Sequence, residues 1–165
     1  MALTKINNNT LSAITGLPAG VGGKVLQVVQ GTTSTETQTQ SQTFVTTNIS
    51  VSITPSSTSN KVLVFSSICI DSPGGSTNAD NMCVALFRDS TSIFVPNADG
   101  RLGIAASSAN PEITDIYPIT YQDSPSSTSA ISYNIRIRSR DGGVITLNDD
   151  GGSSSIIAME IAGWL

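Results

Sequence analysis

The chain has 165 residues, a net charge of −4 and 12% charged side chains, while Ser and Thr together fill more than a quarter of it. Eight Lys and Arg leave no electrostatic footprint for a phosphate backbone, and the absence of His removes the commonest general base, the commonest metal ligand and any Ser-His or Cys-His couple. Nucleic acid is therefore not an expected partner, hydrolysis not an expected activity, and no cofactor is called for.

A chain of this size buries about two thirds of its unfolded surface, enough for one domain without metals or disulfides. No apolar run approaches the roughly 18 residues of a membrane-spanning helix, and Met1 to Asn9 lacks the apolar core of a signal peptide, so the chain is expected to be made and at first kept in a cytosol, without membrane insertion. A low-charge surface rich in Thr, Ser, Asn and Gly suits an assembled, externally exposed shell better than a cytosolic enzyme.

Residues 1–23 read as an arm. Leu3, Ile6, Leu11, Ile14 and Leu17 are scattered among Asn and Thr without a periodic face, and the stretch from Pro18 to Gly23 breaks any regular element. Such a leader is either frayed or becomes ordered by burying those side chains on another protein.

From residue 24 the pattern is that of strands. The first is expected over 24–30, and the Thr/Gln alternation of 32–42 reads as an exposed edge strand or a loop. Further strands are expected over 43–54, 61–71, 81–88, 92–96, 101–106, 113–121, 130–140, 143–148 and 154–162, with turn residues between them. The five residues Pro55-Ser56-Ser57-Thr58-Ser59 recur as Pro125-Ser126-Ser127-Thr128-Ser129, each between strand-like runs, and read as two hairpin turns. The expected fold is all-β: a two-sheet antiparallel sandwich of the jelly-roll type over 24–165, preceded by the arm.

Four groups of residues invite a functional reading. Cys69 and Cys83 would face each other if 61–71 and 81–88 formed a symmetric hairpin, since residues summing to 152 then lie opposite; the pair is either a bridge or two buried thiols. Arg136, Arg138 and Arg140 share one strand face, as a strip for acidic sugars, a solvated outer face or an ion-pair row between subunits. Asp149-Asp150-Gly151 and Asp99-Gly100 offer turn carboxylates to a hard cation, although Asp-Gly is first a turn former and no metal is expected. The last run carries Ile157, Met159, Ile161 and Trp164 and is apolar on both faces, which suits core closure or a subunit interface. None of these groups reaches the standard of an active site.

In order along the chain, Gly23 to Val29, Ser52 to Val64, Ala85-Leu86-Phe87-Arg88-Asp89, Asp123-Ser124-Pro125 and Met159-Glu160-Ile161 resemble a domain of tail fibre and other virion surface proteins of marine and cyanobacterial phages. The resemblance spans residues 23–163 and implies a trimeric jelly-roll head similar to tumour-necrosis-factor-like and C1q-like folds. On that basis the chain is expected to be a phage virion structural protein: a short trimeric tail fibre or fibre head, docked to other virion proteins by its arm and touching a host surface glycan. A head decoration or cement protein is the alternative within structural proteins, and a free carbohydrate-binding module the alternative from another class.

Overall fold

The computed structural model describes residues 24–73, 82–96, 101–102 and 112–162. Among the described residues eleven strands form, in chain order: β1 (Val25–Thr33), β2 (Thr37–Thr39), β3 (Val45–Ile53), β4 (Lys61–Pro73), β5 (Met82–Arg88), β6 (Thr91–Phe94), β7 (Arg101–Leu102), β8 (Glu112–Asp123), β9 (Ile131–Ser139), β10 (Ile145–Leu147) and β11 (Ser154–Ile161). All but β2 begin within two residues of the expected place, while 32–42 divides between the end of β1 and the short β2. Alternation of apolar with Ser or Thr residues sets the period of two, and Pro, Gly and Asp clusters end each run.

The strands divide between two antiparallel sheets. In sheet A, β4 pairs with β8 on one side and with β11 and β10 on the other, while β1 pairs with β11 and β2 with β10. The chain from β10 to β11 is thus one interrupted strand, broken by the 3-10 turn Asp149–Gly151, and β1 and β2 are likewise two lengths of one edge strand. In sheet B, β9 lies between β3 and β5, and the far side of β5 carries β6 and β7. Each sheet is therefore four strand positions wide, and every chain connection between β2 and β5 and between β8 and β10 changes sheet. That winding is a jelly roll, as the pattern of the sequence led one to expect.

The two Pro-Ser-Ser-Thr-Ser segments are not hairpin turns. The first carries the chain from β3 in sheet B to β4 in sheet A, and the second from β8 in sheet A to β9 in sheet B. Because β3 pairs with β9 and β4 with β8, the two crossings lie at the same end of the sandwich, where Val62 opposes Asp123 and Ile53 opposes Ile131. A double ribbon of β3–β4 and β8–β9 is bent over at matched points. Proline and small hydroxyl residues take both segments out of the ladder, and their composition does not record that the next strand joins the other sheet.

Between the sheets lies a core of aliphatic side chains, among them Ile49, Val62, Val64, Ile68, Ile70, Val84, Leu86, Ile135, Ile137, Ile156 and Ala158, with Tyr133 as the one large polar-tipped member. The sheets approach closely where Gly31 of β1 passes Ser50 of β3: a Cβ on Gly31 would run into the Ser50 carbonyl oxygen. Glycine is required there by the proximity of the two backbones.

Candidate functional site

The end of the sandwich that carries the two crossings is fastened by carboxylates. Glu160 of β11 points inward, although its neighbours on that face are Ile156 and Ala158, and it is 1% exposed. Its Oε1 accepts hydrogen bonds from the backbone N–H of Ser56 at 2.7 Å, the Ser56 hydroxyl at 2.8 Å and Asn60 Nδ2 at 2.5 Å, while Oε2 accepts from Gln27 Nε2 at 2.7 Å. Burial pushes this carboxyl upward, but the bonds from Gln27, Asn60 and Ser56 outweigh it and draw the group down to about 2. A single buried anion thus holds the first crossing and the start of β1 with neutral donors alone.

Asp123, the last residue of β8, performs the same task at the second crossing. It accepts two bonds from Arg88 Nη1, at 3.1 and 2.9 Å, and one from the Tyr133 hydroxyl at 2.7 Å. Burial first, and then this hydrogen bond to a carboxylate, push the Tyr133 phenol well above its usual range. The hairpin between β5 and β6 is tied to β9 nearby: the Asp89 carbonyl accepts from Asn134 Nδ2 and Arg136 Nη2, and Asp89 Oδ1 accepts from the Ser132 backbone N–H.

The outer faces of the two sheets differ in kind. On sheet B, Arg136 lies 4.2 Å over the Phe87 ring, Arg138 lies 5.3 Å over Phe44, and the two rings meet edge to face at 5.7 Å. Arg136 also donates from Nε to Asn134. Arg136 and Arg138 share a face of β9 as their spacing implies, and their guanidinium groups cover aromatic rings; Arg140 is exposed just past the strand.

On sheet A the outer face is apolar at the end nearest the crossings. Alternation puts Val62, Val64, Ile156 and Ala158 inward, so Leu63, Phe65, Ile157, Met159 and Ile161 face out, and cross-strand pairing sets them side by side: Val28 beside Met159 beside Leu63, Ile157 beside Phe65, and Val25 beside Ile161. Val28 is 55% exposed, Val25 47% and Phe65 36%, while Leu63, Ile157, Met159 and Ile161 are half-buried. Three of the four residues expected at a subunit interface are thus brought together on one surface. Trp164 lies outside the described residues, as do Asp99, Gly100 and the arm with Leu3, Ile6, Leu11, Ile14 and Leu17. Sequence reasoning missed Val28, Leu63 and Phe65, since only the register shows that they extend the same stripe.

Cys69 and Cys83 do not form the expected pair. Cys69 is on β4 in sheet A, opposite Ile116, and Cys83 is on β5 in sheet B, opposite Arg138 and Arg101; neither is in a disulfide. The hairpin register fails because the chain changes sheet between β4 and β5. Asp149 and Asp150 sit in the turn between β10 and β11, where Asp149 Oδ1 accepts from the Asp150 backbone N–H at 3.1 Å. Among the described residues no cluster of three or more His, Cys, Asp or Glu could hold a metal ion, and no helix is long and apolar enough to cross a membrane.

No protein-family model matches the sequence, and no curated protein matches it. Among solved structures, the VP2 subviral particle of infectious bursal disease virus is similar, with a TM-score of 0.44 and 13% identity over 84% of this chain. The alignment spans 38% of that longer chain.

Proposed function

We propose that this protein is a structural subunit of the outer surface of a bacteriophage particle, assembled as a homotrimer and acting by binding, without catalysis. The observation that carries this reading is the use to which the buried acids are put. Glu160 and Asp123, the buried acids at the end of the sandwich that carries the crossings, are fully engaged in fastening those crossings. A jelly roll stiffened in this way, with low surface charge, is built to be rigid and to pack against other proteins. The order of the motifs that resemble those of phage virion surface proteins supports the finer reading: a short tail fibre or fibre head, docked by residues 1–23 to other virion proteins, with a host surface glycan as the target of its exposed loops.

Immunogold labelling of purified particles with antibody to residues 24–165 tests the reading. Label at the tail tip or along fibres is the expected result. Label spread over the head replaces the fibre with a decoration protein, and absence of label from intact particles overturns the virion role.

A further inference from the structure

We infer that the outer face of sheet B binds a carboxylate-bearing polysaccharide through Arg136 and Arg138. The inference rests on the reading of the protein as a virion surface protein that meets a host glycan, and it names the class of sugar and the face that takes it. Arg136 is fixed before any ligand arrives: its guanidinium lies 4.2 Å over the Phe87 ring, Nε donates to Asn134 Oδ1 at 2.9 Å and Nη2 donates to the Asp89 carbonyl at 2.9 Å. Among the described residues Nη1 donates to nothing, and Arg136 is in no ion pair. The carboxylate of Asp89 does not neutralise it, since Oδ1 is turned to the Ser132 backbone N–H. Arg138 follows about 6.5 to 7 Å along the strand, with its guanidinium 5.3 Å over Phe44. A guanidinium stacked on a ring is held in one orientation, so it loses little side-chain entropy on taking an oxyanion.

The surroundings decide which anion fits. β3 borders sheet B beside β9, and the register sets Thr46 opposite Arg136, Ser50 opposite Asn134 and Ser52 opposite Ser132, with all three β3 residues exposed. Two fixed cations beside a row of hydroxyls match a chain that carries carboxylates at intervals and hydroxyl groups between them. Nucleic acid asks for more: its charge density calls for a run of cations tracking the phosphates, and a chain with eight Lys and Arg and a net charge of −4 repels it. An acidic peptide shares the carboxylates but presents few hydroxyls, and gains less from Thr46, Ser50 and Ser52.

Biolayer interferometry on the immobilised full-length chain tests it, with polygalacturonate as the probe and the same polymer with its carboxyls reduced to alcohols as the control. The wild type is expected to bind the acid form and to bind the reduced form about tenfold more weakly or less. Arg136→Gln with Arg138→Gln is expected to lose binding to the same degree with an unchanged circular dichroism spectrum. Thr46→Asp, at an exposed position, sets a carboxylate of the chain's own opposite Arg136 and is expected to weaken binding without disturbing the ring contacts, so it decides the matter if the double variant misfolds. Lys24→Gln alters the net charge by the same amount at an exposed residue beside β1 and is expected to bind like the wild type. Equal binding of the two polymers, binding of neither, a Thr46→Asp variant that binds as the wild type does, or a Lys24→Gln variant that is weakened as much overturns the inference. Tighter binding of dextran sulfate makes the anion a sulfate and tighter binding of poly-glutamate makes the partner a peptide; either also overturns it. A double variant whose mass by light scattering departs from that of the wild type places the arginine row between subunits, and the inference falls. Carboxylate binding without immunogold label on particles removes the virion role and leaves this face standing, while label on particles without carboxylate binding does the reverse.

Discussion

Ser56 gives both its backbone N–H and its hydroxyl to one oxygen of Glu160, a residue 104 positions further along the chain. The carboxylate closes the crossing from sheet B to sheet A more directly than any apolar contact could, because it satisfies donors that the turn would otherwise bury. An unfolded glutamate titrates near 4.5 and this one near 2. The folded value is the lower, so the stabilisation is complete above pH 4.5 and is lost as the pH falls towards 2, an amount of roughly 3 kcal/mol. Glu160→Gln turns an NH2 group towards one set of donors, and is expected to lower the melting temperature at pH 7 by about 5 to 10 °C and to flatten the loss of stability between pH 4.5 and 2. Thermal melts across that range check it; an unchanged acid limb would show that other groups hold the crossing.

Asp71 predicts the opposite sign for the corresponding exchange. Its side chain is buried, Oδ1 accepts from Thr114 Oγ1 at 2.5 Å, and Oδ2 has no hydrogen-bond partner among the described residues. An amide of the same shape costs less to bury than a carboxylate with one neutral donor. Asp71→Asn is therefore expected to be at least as stable as the wild type in urea denaturation. A loss beyond about 1 kcal/mol would mean that Oδ2 has an acceptor role.

The strands were legible because period two survives in the sequence wherever one face is buried, and Pro, Gly and Asp stop it cleanly. The assignment of faces on the last strand was not. Ile156, Ala158 and Glu160 share one face and Ile157, Met159 and Ile161 the other, so hydropathy alone does not say which way the acid turns. The structure turns it inward, because Ser56 and Asn60 of the first crossing and Gln27 of β1 arrive from distant parts of the chain to meet it. Long-range donors leave no local trace. The thiol pair failed for a related reason: Cys69 and Cys83 are close in sequence, but a local register presumes that neighbouring strands pair, and in a jelly roll most do not. What could have pointed to the sheet changes is the repeated Pro-Ser-Ser-Thr-Ser segment, since two identical long crossings are what a folded double ribbon needs at its bend.

Gly31 tests the contact between the sheets. A methyl group there would meet the Ser50 carbonyl oxygen, with Ile156 Cγ2 3.4 Å away, so backbone would have to move rather than a flexible side chain. Gly31→Ala is expected to cost more than 2 kcal/mol, about the size of a buried packing defect, and to be visible as a lower midpoint in urea. Retention of wild-type stability would mean that β1 and β3 can separate freely at this point.

The thiols give a redox prediction. With Cys69 in sheet A and Cys83 buried in sheet B, mild oxidation is expected to leave two titratable thiols in the unfolded chain and no difference in melting temperature with or without reductant. In the native protein Cys83, which has no exposed surface, is expected to react with a thiol reagent only as fast as the fold opens. Recovery of an intramolecular bridge would require the two sheets to exchange strands.

Residues 2–22 are expected to be dispensable for the sandwich and required for attachment to the particle. The first described backbone contact after the arm is Lys24, whose carbonyl accepts from the Ala162 N–H at 2.9 Å, and Val29 is the first described side chain packed on the core. The arm carries Leu3, Ile6, Leu11, Ile14 and Leu17, each worth about 1.5 to 3 kcal/mol of transfer on full burial before the entropy of ordering is subtracted. Deletion of residues 2–22 should leave the melting temperature and the mass of the assembly unchanged while removing the protein from purified virions, measured by mass spectrometry of particles grown on the deletion mutant. If the truncated chain aggregates, the arm contributes to the fold; if it still reaches the particle in wild-type amount, docking belongs to the surface of the sandwich.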